Sequence, residues 1–559
     1  MDGMRRRPEA LTEREYDCVI VGGGVCGMSL AWEAASRGLT AALVERGDFC
    51  HAASANSLKV VHGGIRYLQH GDLYRIRESS EERSSLLRIA PHLVRPMPIV
   101  VPTYRGLLRG RTAMRAALVL YDLLTFDRNR GIRDPRNRVP RGRLLSRQAC
   151  VELFPDLDQP ELTGAALFHD GQMYNPTRLA LAFLRSALAA GAAAANYVEA
   201  RGYLRRGDRV VGIRARDLIA GSDLEIRGRV VLNAVGGWTP GLLESLALSR
   251  PTRPSFSRDA CFIVPRRLTG DHALAVQGAT SDPDALLSRG ARHLFLVPWR
   301  DCTLVGVWHV VYEGDPDRYA VSAEELQGWL DEVNAALPSL RLRLDDVSLW
   351  NAGLVLFGRN EPGARDLSYG KRSLIVDHER RDGLGGLITV IGVRYTTARG
   401  VAARAVDLAL RRLGLGARPS ATDRTALFGG DYESFDVLAR EVASREGFRP
   451  AEACVVPLLR NYGSRYADVL RYADDEPGLG RALDRSTTLE AEVLHAVREE
   501  MALKLSDVVF RRTDLGTGAY PGDAAVERCA ARMAAEFGWD AVRVGSEIAE
   551  VRSRFLRLS

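Results

Sequence analysis

Residues Tyr16 to Glu45 read YDCVIVGGGVCGMSLAWEAASRGLTAALVE, and this stretch decides the fold. Val19, Ile20 and Val21 form a β-branched run suited to a buried parallel strand, and Gly22, Gly24 and Gly27 follow it in G-x-G-x-x-G spacing. In that spacing the first glycine permits a tight turn, the second lets backbone approach a pyrophosphate, and the third allows helix and strand to pack closely. The phosphates then meet the positive end of the helix that starts there. A second apolar strand, Ala41 to Val44, ends at Glu45, whose carboxylate stands roughly 20 residues beyond the glycines, where a ribose hydroxyl is held. Strand, turn, helix, strand and acid together predict a Rossmann-like dinucleotide site.

A chain of 559 residues exceeds what one core supports, so two or three structural units are expected. Hydrophobic residues at 46% and charged residues at 26% are ordinary for a globular protein and exclude a disordered one. The formal charge is +7, but 70 acidic residues are mixed among 77 basic ones, so net charge selects no polyanionic partner. Eight cysteines lie scattered without C-x-x-C pairs or metal-ligand spacing, which predicts no metal site and a reducing compartment. The basic N-terminus lacks an apolar core, and no apolar run approaches membrane-spanning length. A cytoplasmic protein follows, at most peripheral to the inner face of the cell membrane.

Twelve arginines crowd Thr103 to Arg147. Within that segment AMRAALVLYDLLTF, Ala113 to Phe126, reads as an apolar helix with basic flanks, which either docks on a membrane surface or packs internally. Aromatic residues are sparse there and no nucleic-acid motif occurs, so no nucleic-acid partner is expected. Farther on, RGRVVLNAVGGWTP runs a buried strand into a glycine pair that includes Gly236, and short strands dominate Cys261 to Val311. A third glycine element spans Asp382 to Leu410, with Gly392 between strand and helix, and makes the nucleotide domain discontinuous. Amides near Thr396 and Thr397, at that helix's start, suit negative charge on a flavin ring. After a Gly/Pro/Ser/Thr-rich boundary at 416–430 the chain turns helical, with Leu489 to Arg512 reading as one periodic segment.

These motifs resemble the flavin-dependent glycerol-3-phosphate dehydrogenases over nearly the whole chain. The resemblance is carried by VGGGVCG, SANSLKVVHGGIRYLQHGDL (Ser54 to Leu73), APHL, VVLNAVGGW, LIVDHERRDGLGGLITVIG and RRTDLGTG, with HGGIRYL the most specific. It implies an α/β protein: a discontinuous Rossmann-like FAD-binding domain, a mixed-sheet substrate cap and a C-terminal helical domain. The oxidoreductase region would span 14–420, with FAD segments at about 14–100, 160–245 and 350–415 and the cap at about 250–350; the helical domain would span 425–559. It also implies FAD as cofactor. Gly22, Gly24 and Gly27 would serve the pyrophosphate and Glu45 the ribose, while Ser54, Ser57, Lys59, His62, Gly63 and Gly64 would serve the flavin region, and Gly392 to Thr397 its pyrimidine edge. Arg66 would enter the substrate pocket. The implied reaction oxidises a secondary alcohol of a small anion, glycerol 3-phosphate or a related compound, with electrons passing to a quinone or other acceptor.

The substrate side departs from the family pattern. Cys261 replaces a histidine, Gly306 to His309 replace G-T-T-D, Val355 replaces a pocket arginine, and Arg394 replaces a lysine; Lys371 stands where an arginine is usual. His309 is a candidate replacement base, or else a strand-end histidine that satisfies a backbone group. Trp308 is either core or substrate platform. His309, Arg66 and Arg394 are therefore the candidate catalytic residues, with Lys371, Cys261, Val355 and Trp308 as candidate substrate contacts. Because the changes cluster around substrate rather than flavin, an oxidase or dehydrogenase of an amine or modified metabolite is the alternative reading.

Overall fold

The computed structural model describes residues 4–106, 110–157, 159–248, 254–281, 291–358 and 372–556, and two sheets organise it. In the first, strand Tyr16–Val21 pairs in parallel with Ala41–Val44 on one side and Asp223–Asn233 on the other. Ala193–Ala195 extends one edge in parallel; Leu387–Ile391, parallel, and Leu374–Asp377, antiparallel, extend the other. Three distant parts of the chain thus assemble one dinucleotide sheet. Helices Val25–Ser36, Pro176–Ala189 and Ala398–Arg412 share a core with it, and an antiparallel ribbon, Val198–Arg206 with Arg209–Asp217, joins Asp223–Asn233. Burial between these layers explains the unbroken apolar run at Cys18 to Ile20.

The second sheet is mixed. Its order is Leu349–Leu356, Phe256–Val264, Cys302–Tyr312, Ala291–Trp299, Ala273–Ser281, Val94–Tyr104, Leu162–Met173 and Val60–Val61, with only the contact of Ala273–Ser281 with Val94–Tyr104 parallel. It draws strands from well outside 250–350, so the cap is woven through the nucleotide segments. Helix Ala323–Ala336, started by a Ser322–Glu325 capping box, buries Leu326, Trp329, Leu330 and Val333 against it.

From Phe435 onward the described chain is helical. Leu489 to Arg512 is not one helix, however. Helix Glu490–Glu499 stops at Glu500, Met501 takes a left-handed φ of 55°, and the chain resumes with short turns over Leu505–Arg512. The break has a charge-based cause: fully buried Glu500 accepts from Arg178 at 2.5 Å and Arg185 at 3.0 Å, both on helix Pro176–Ala189. Burial alone would raise this carboxyl's pKa, but Arg178, His495 and Arg185 hold it well below the usual range. Periodicity cannot register such a pairing.

A second buried network joins the same two regions. Asp48, three residues past Glu45, accepts from Arg512 through both carboxylate oxygens at 2.7 Å and from Arg511 at 2.6 Å, while Asn196 donates to it at 2.9 Å. Arg512 and Asp48 have fully buried side chains. Arg512→Leu should therefore leave Asp48 only Arg511 as a cationic partner beneath the nucleotide loop and cost on the order of 3 kcal/mol. Denaturant unfolding followed by circular dichroism checks this, and an unchanged midpoint would show the pair to be dispensable.

Candidate active site

A cavity of about 1160 Å³ is lined from both sheets and continues from the glycine turn to the mixed sheet. At its dinucleotide end Gly22 has a φ of +109°, and a Cβ there would stand 2.6 Å from the Ala234 carbonyl oxygen. Gly27 does not face the cavity; a Cβ on it would meet the Gly22 oxygen at 1.8 Å, so its lack of a side chain is what seats helix on strand. Gly24 is the N-cap of helix Val25–Ser36 and offers no side-chain cap, leaving the helix's positive end to the cavity and to Ser54, whose Oγ accepts from the Val25 N–H at 3.0 Å. Glu45 accepts from the Gly23 and Gly47 amides through separate oxygens, at 2.6 and 2.8 Å, which fixes its carboxylate against the glycine turn. This cradle, open only because side chains are absent, fits a dinucleotide pyrophosphate.

The loop after Ser54 forms the middle of the cavity. Lys59 is buried, donates to the Ala55 and Ser57 carbonyls at 3.2 and 2.9 Å, and stands over the Trp299 ring. Burial, helped by Arg300, lowers its pKa to about 8. His62 and Gly64 line the cavity, while Gly63 turns away from it: its N–H donates to Asp170 at 2.6 Å, and a Cβ there would lie about 2 Å from Tyr121 and Arg83. The His62 N–H reaches Thr396 Oγ at 3.3 Å, and this ties the loop to the third glycine element. Burial and the guanidinium groups of Arg394, Arg83, Arg66 and Arg75 push the His62 imidazole down to about 3, so it is neutral at physiological pH. Gly236, Gly392 and Thr396 also line the cavity; Thr397 is buried behind it.

At the far end Arg66 is exposed toward the cavity, and Arg394 is bound to Glu78 at 2.9 Å, Ser79 at 2.9 Å and Tyr67 at 3.2 Å. Arg75, which the motif analysis passed over, joins them and stacks on Tyr67. Lys371 lies outside the described residues. Cys261 is buried, and burial pushes its thiol up to about 11 against the pull of Lys59 and Asn351, so it is a neutral group and a poor base. Trp308 stacks between Phe262 and Trp329, with ring centroids 5.7 and 4.7 Å away, and donates to Glu332 at 2.9 Å; it is a packed wall of the cavity. Val355 and His309 line the same wall, and His309 Nδ1 lies 2.8 Å from Asp259. Asp259 and Glu332 escaped the sequence reading because strand register and helix packing, not motif spacing, bring them there. No group of three or more metal-ligating side chains occurs among the described residues.

Residues 17–408 match the family model described as FAD dependent oxidoreductase, and 420–544 match the C-terminal domain of alpha-glycerophosphate oxidase. A glycerol-3-phosphate dehydrogenase of Mycobacterium leprae is 31% identical, covering 98% of this chain and 89% of its own length; one of Synechocystis is 30% identical, covering 91% and 90%. The chain belongs to the FAD-dependent glycerol-3-phosphate dehydrogenase family. The FAD-complexed Bacillus halodurans glycerol-3-phosphate dehydrogenase has the same fold, with a TM-score of 0.75 at 24% identity over 98% of this chain and 96% of that one. FAD is accordingly the cofactor, and the protein is an oxidoreductase. Gly27→Ala should yield a folded but colourless protein, because the helix can no longer close on the turn. Flavin absorbance of the purified variant measures this, and full FAD occupancy would refute the geometry.

Proposed function

We propose that the protein oxidises glycerol 3-phosphate, or a closely related hydroxylated anion, to the ketone. The observation that carries the proposal is one cavity running from the dinucleotide cradle, through the HGGIRY loop, to Arg66, Arg75 and Arg394. FAD, when bound, supplies the two-electron acceptor for the hydride. Gly22, Gly24 and Glu45 would hold its adenosine and pyrophosphate, and Ser54, Ser57, Lys59, His62 to Gly64, Gly236, Gly392, Thr396 and Thr397 its flavin half. Arg66 and Arg394, with Lys371, would hold the anion, and His309 would take the hydroxyl proton. Arg394 shares its charge with Glu78, so it orients a ligand more than it adds net attraction.

The substrate wall supports a second reading. Val355 puts an aliphatic group where the family resemblance places an arginine, and Asp259 and Glu332 add acidic groups to the same cavity. A substrate with an amine or a larger neutral group would suit that wall better than a bare phosphate. Native enzyme should then bleach its flavin slowly with glycerol 3-phosphate, and Val355→Arg with Cys261→His should speed it by roughly 10-fold or more by restoring a phosphate partner. Anaerobic stopped-flow reduction decides this, with retained FAD as the folding control. Fast bleaching of native flavin that the double variant leaves unchanged would make the departures neutral.

The electron acceptor proposed is a membrane quinone, reached through helix Arg111–Leu124. Val119, Leu120 and Leu123 on this helix, and Phe126 just beyond it, are exposed, Phe126 at 81%. Tyr121 on its inner face is buried against the Gly63 loop. No helix among the described residues is long and apolar enough to cross a bilayer, so the contact would be peripheral. Arg115 and the arginines flanking the helix suit anionic headgroups. Sedimentation with anionic liposomes should show binding at low salt that weakens at high salt; absence at both would point to a soluble acceptor.

A further inference from the structure

We infer that Asp317 is the latch of a side-chain gate, formed by Arg46 and Trp238, that sets how fast FAD enters and leaves the dinucleotide end of the cavity. The inference rests on the placement of FAD proposed above and concerns the cofactor's exchange, not the reaction. Arg46 directly follows Glu45, and Trp238 ends the short turn Gly236–Trp238 beyond strand Asp223–Asn233, so both stand at the carboxyl edge of the dinucleotide sheet. Both line the cavity, and the Arg46 guanidinium lies over the Trp238 ring, 4.7 Å from its centroid. His51 lines it as well, with its ring centroid 6.0 Å from that of Trp238 and its Nδ1 3.0 Å from the Asp48 carbonyl oxygen. The cavity reaches the surface at this end. Exposed Arg201 and Gly241 line it there, Arg201 just beyond Val198, whose N–H donates to the Glu45 carbonyl at 2.7 Å.

The latch comes from the cap. Asp317 lies in the loop between strand Cys302–Tyr312 and helix Ala323–Ala336, and it is not itself part of the cavity lining. Its carboxylate accepts from both terminal nitrogens of Arg46, with Nη1 3.2 Å from Oδ2, and Oδ1 also accepts from Trp238 Nε1 at 3.0 Å. Partial burial would raise the Asp317 carboxyl, but the bonds from Arg46 and Trp238 hold it below its ordinary range. The loop is tied to the mixed sheet on either side of Asp317. The Tyr312 hydroxyl donates to the Asp315 carbonyl at 2.8 Å, and the Tyr319 hydroxyl to the Ala352 carbonyl at 3.4 Å. The carboxylate is therefore a fixed point, and the gate opens when the Arg46 and Trp238 side chains swing off it.

An isolated exposed ion pair would make a poor gate, because solvent screening leaves it weak. This one is two-pronged, shares its carboxylate with an indole N–H, and seats its cation on the same indole, so Arg46 and Trp238 are held to each other and to the cap at once. Each of these contacts joins protein to protein. Opening the gate therefore costs the same whether the cofactor is inside or outside, which changes the rates of entry and exit together and leaves affinity alone. The Arg46 and Asp317 side chains are 35% and 46% exposed, so dissolved salt reaches the pair and weakens it.

The test needs no substrate. Holoenzyme carrying isotopically labelled FAD is mixed with excess unlabelled FAD, and the label left on the protein is followed with time; the fraction of FAD still bound after long dilution reports affinity. Asp317→Ala should speed loss of label about 5- to 20-fold while the bound fraction at equilibrium stays nearly native. Raising the salt concentration should speed exchange in the native enzyme and do little in Asp317→Ala, where the screened contact is already gone. Arg46→Asp should exchange fast, and adding Asp317→Arg to it should bring the rate part of the way back by restoring an ion pair of reversed sense. Glu45→Gln, which acts on the glycine turn and leaves the latch intact, serves as the comparison and should lower the bound fraction. Native exchange in Asp317→Ala, with Glu45→Gln weakened as expected, would overturn the gate alone. Native behaviour of both variants would overturn the placement of FAD at this end, and the gate with it. Faster exchange matched by an equal loss of affinity in Asp317→Ala would also overturn the inference, because the carboxylate would then stabilise the bound state instead of latching its exit.

Discussion

The flavin loop owes its position to one carboxylate. Asp170 Oδ1 accepts at once from the Gly63 amide at 2.6 Å and from Arg83 at 2.9 Å, and Arg83 also donates to the His169 carbonyl. Asp170 belongs to the mixed sheet, Arg83 to helix Leu73–Ile89, and Gly63 to the loop that meets the dinucleotide sheet through Thr396. Charged groups this deeply buried are tolerated only when paired and hydrogen-bonded, so the three parts can adopt one mutual arrangement. The cavity's continuity, from the glycine turn to the mixed sheet, depends on that contact.

The dinucleotide half was legible because its constraints are local. The tight turn at Gly22, the close approach at Gly27 and the acid at Glu45 are demands of chain geometry over some thirty residues, and each leaves a residue-type signature. Gly392 and Gly236 were readable for the same reason. The C-terminal segment was misread as one helix at Leu489 to Arg512 because the break at Glu500 satisfies Arg178, some 320 residues away, and no periodic pattern records a partner at that distance.

The substrate wall was only half legible. His309, Val355 and Cys261 could be marked as departures from a resemblance, but their meaning depended on which strands became neighbours and in what register. Trp308 shows the same limit from the other side: its type allowed core or platform, and stacking between Phe262 and Trp329 makes it a rigid wall. The arginine-lined end of the cavity likewise gained Arg75 and lost some of Arg394's charge to Glu78, neither of which spacing reveals.

The buried pairings of Asp48 with Arg511 and Arg512, and of Arg178 and Arg185 with Glu500, bear on how the molecule is made. The nucleotide-binding half leaves the ribosome first, yet two of its interior charges, Asp48 and Arg178, find their ionic partners more than 300 residues later. Until those arrive, the loop beyond Glu45 and the helix at Pro176–Ala189 cannot close without burying an isolated ion. The helical region thereby acts as a seal on the nucleotide fold: removing it would strip Asp48 and Arg178 of their buried ionic partners.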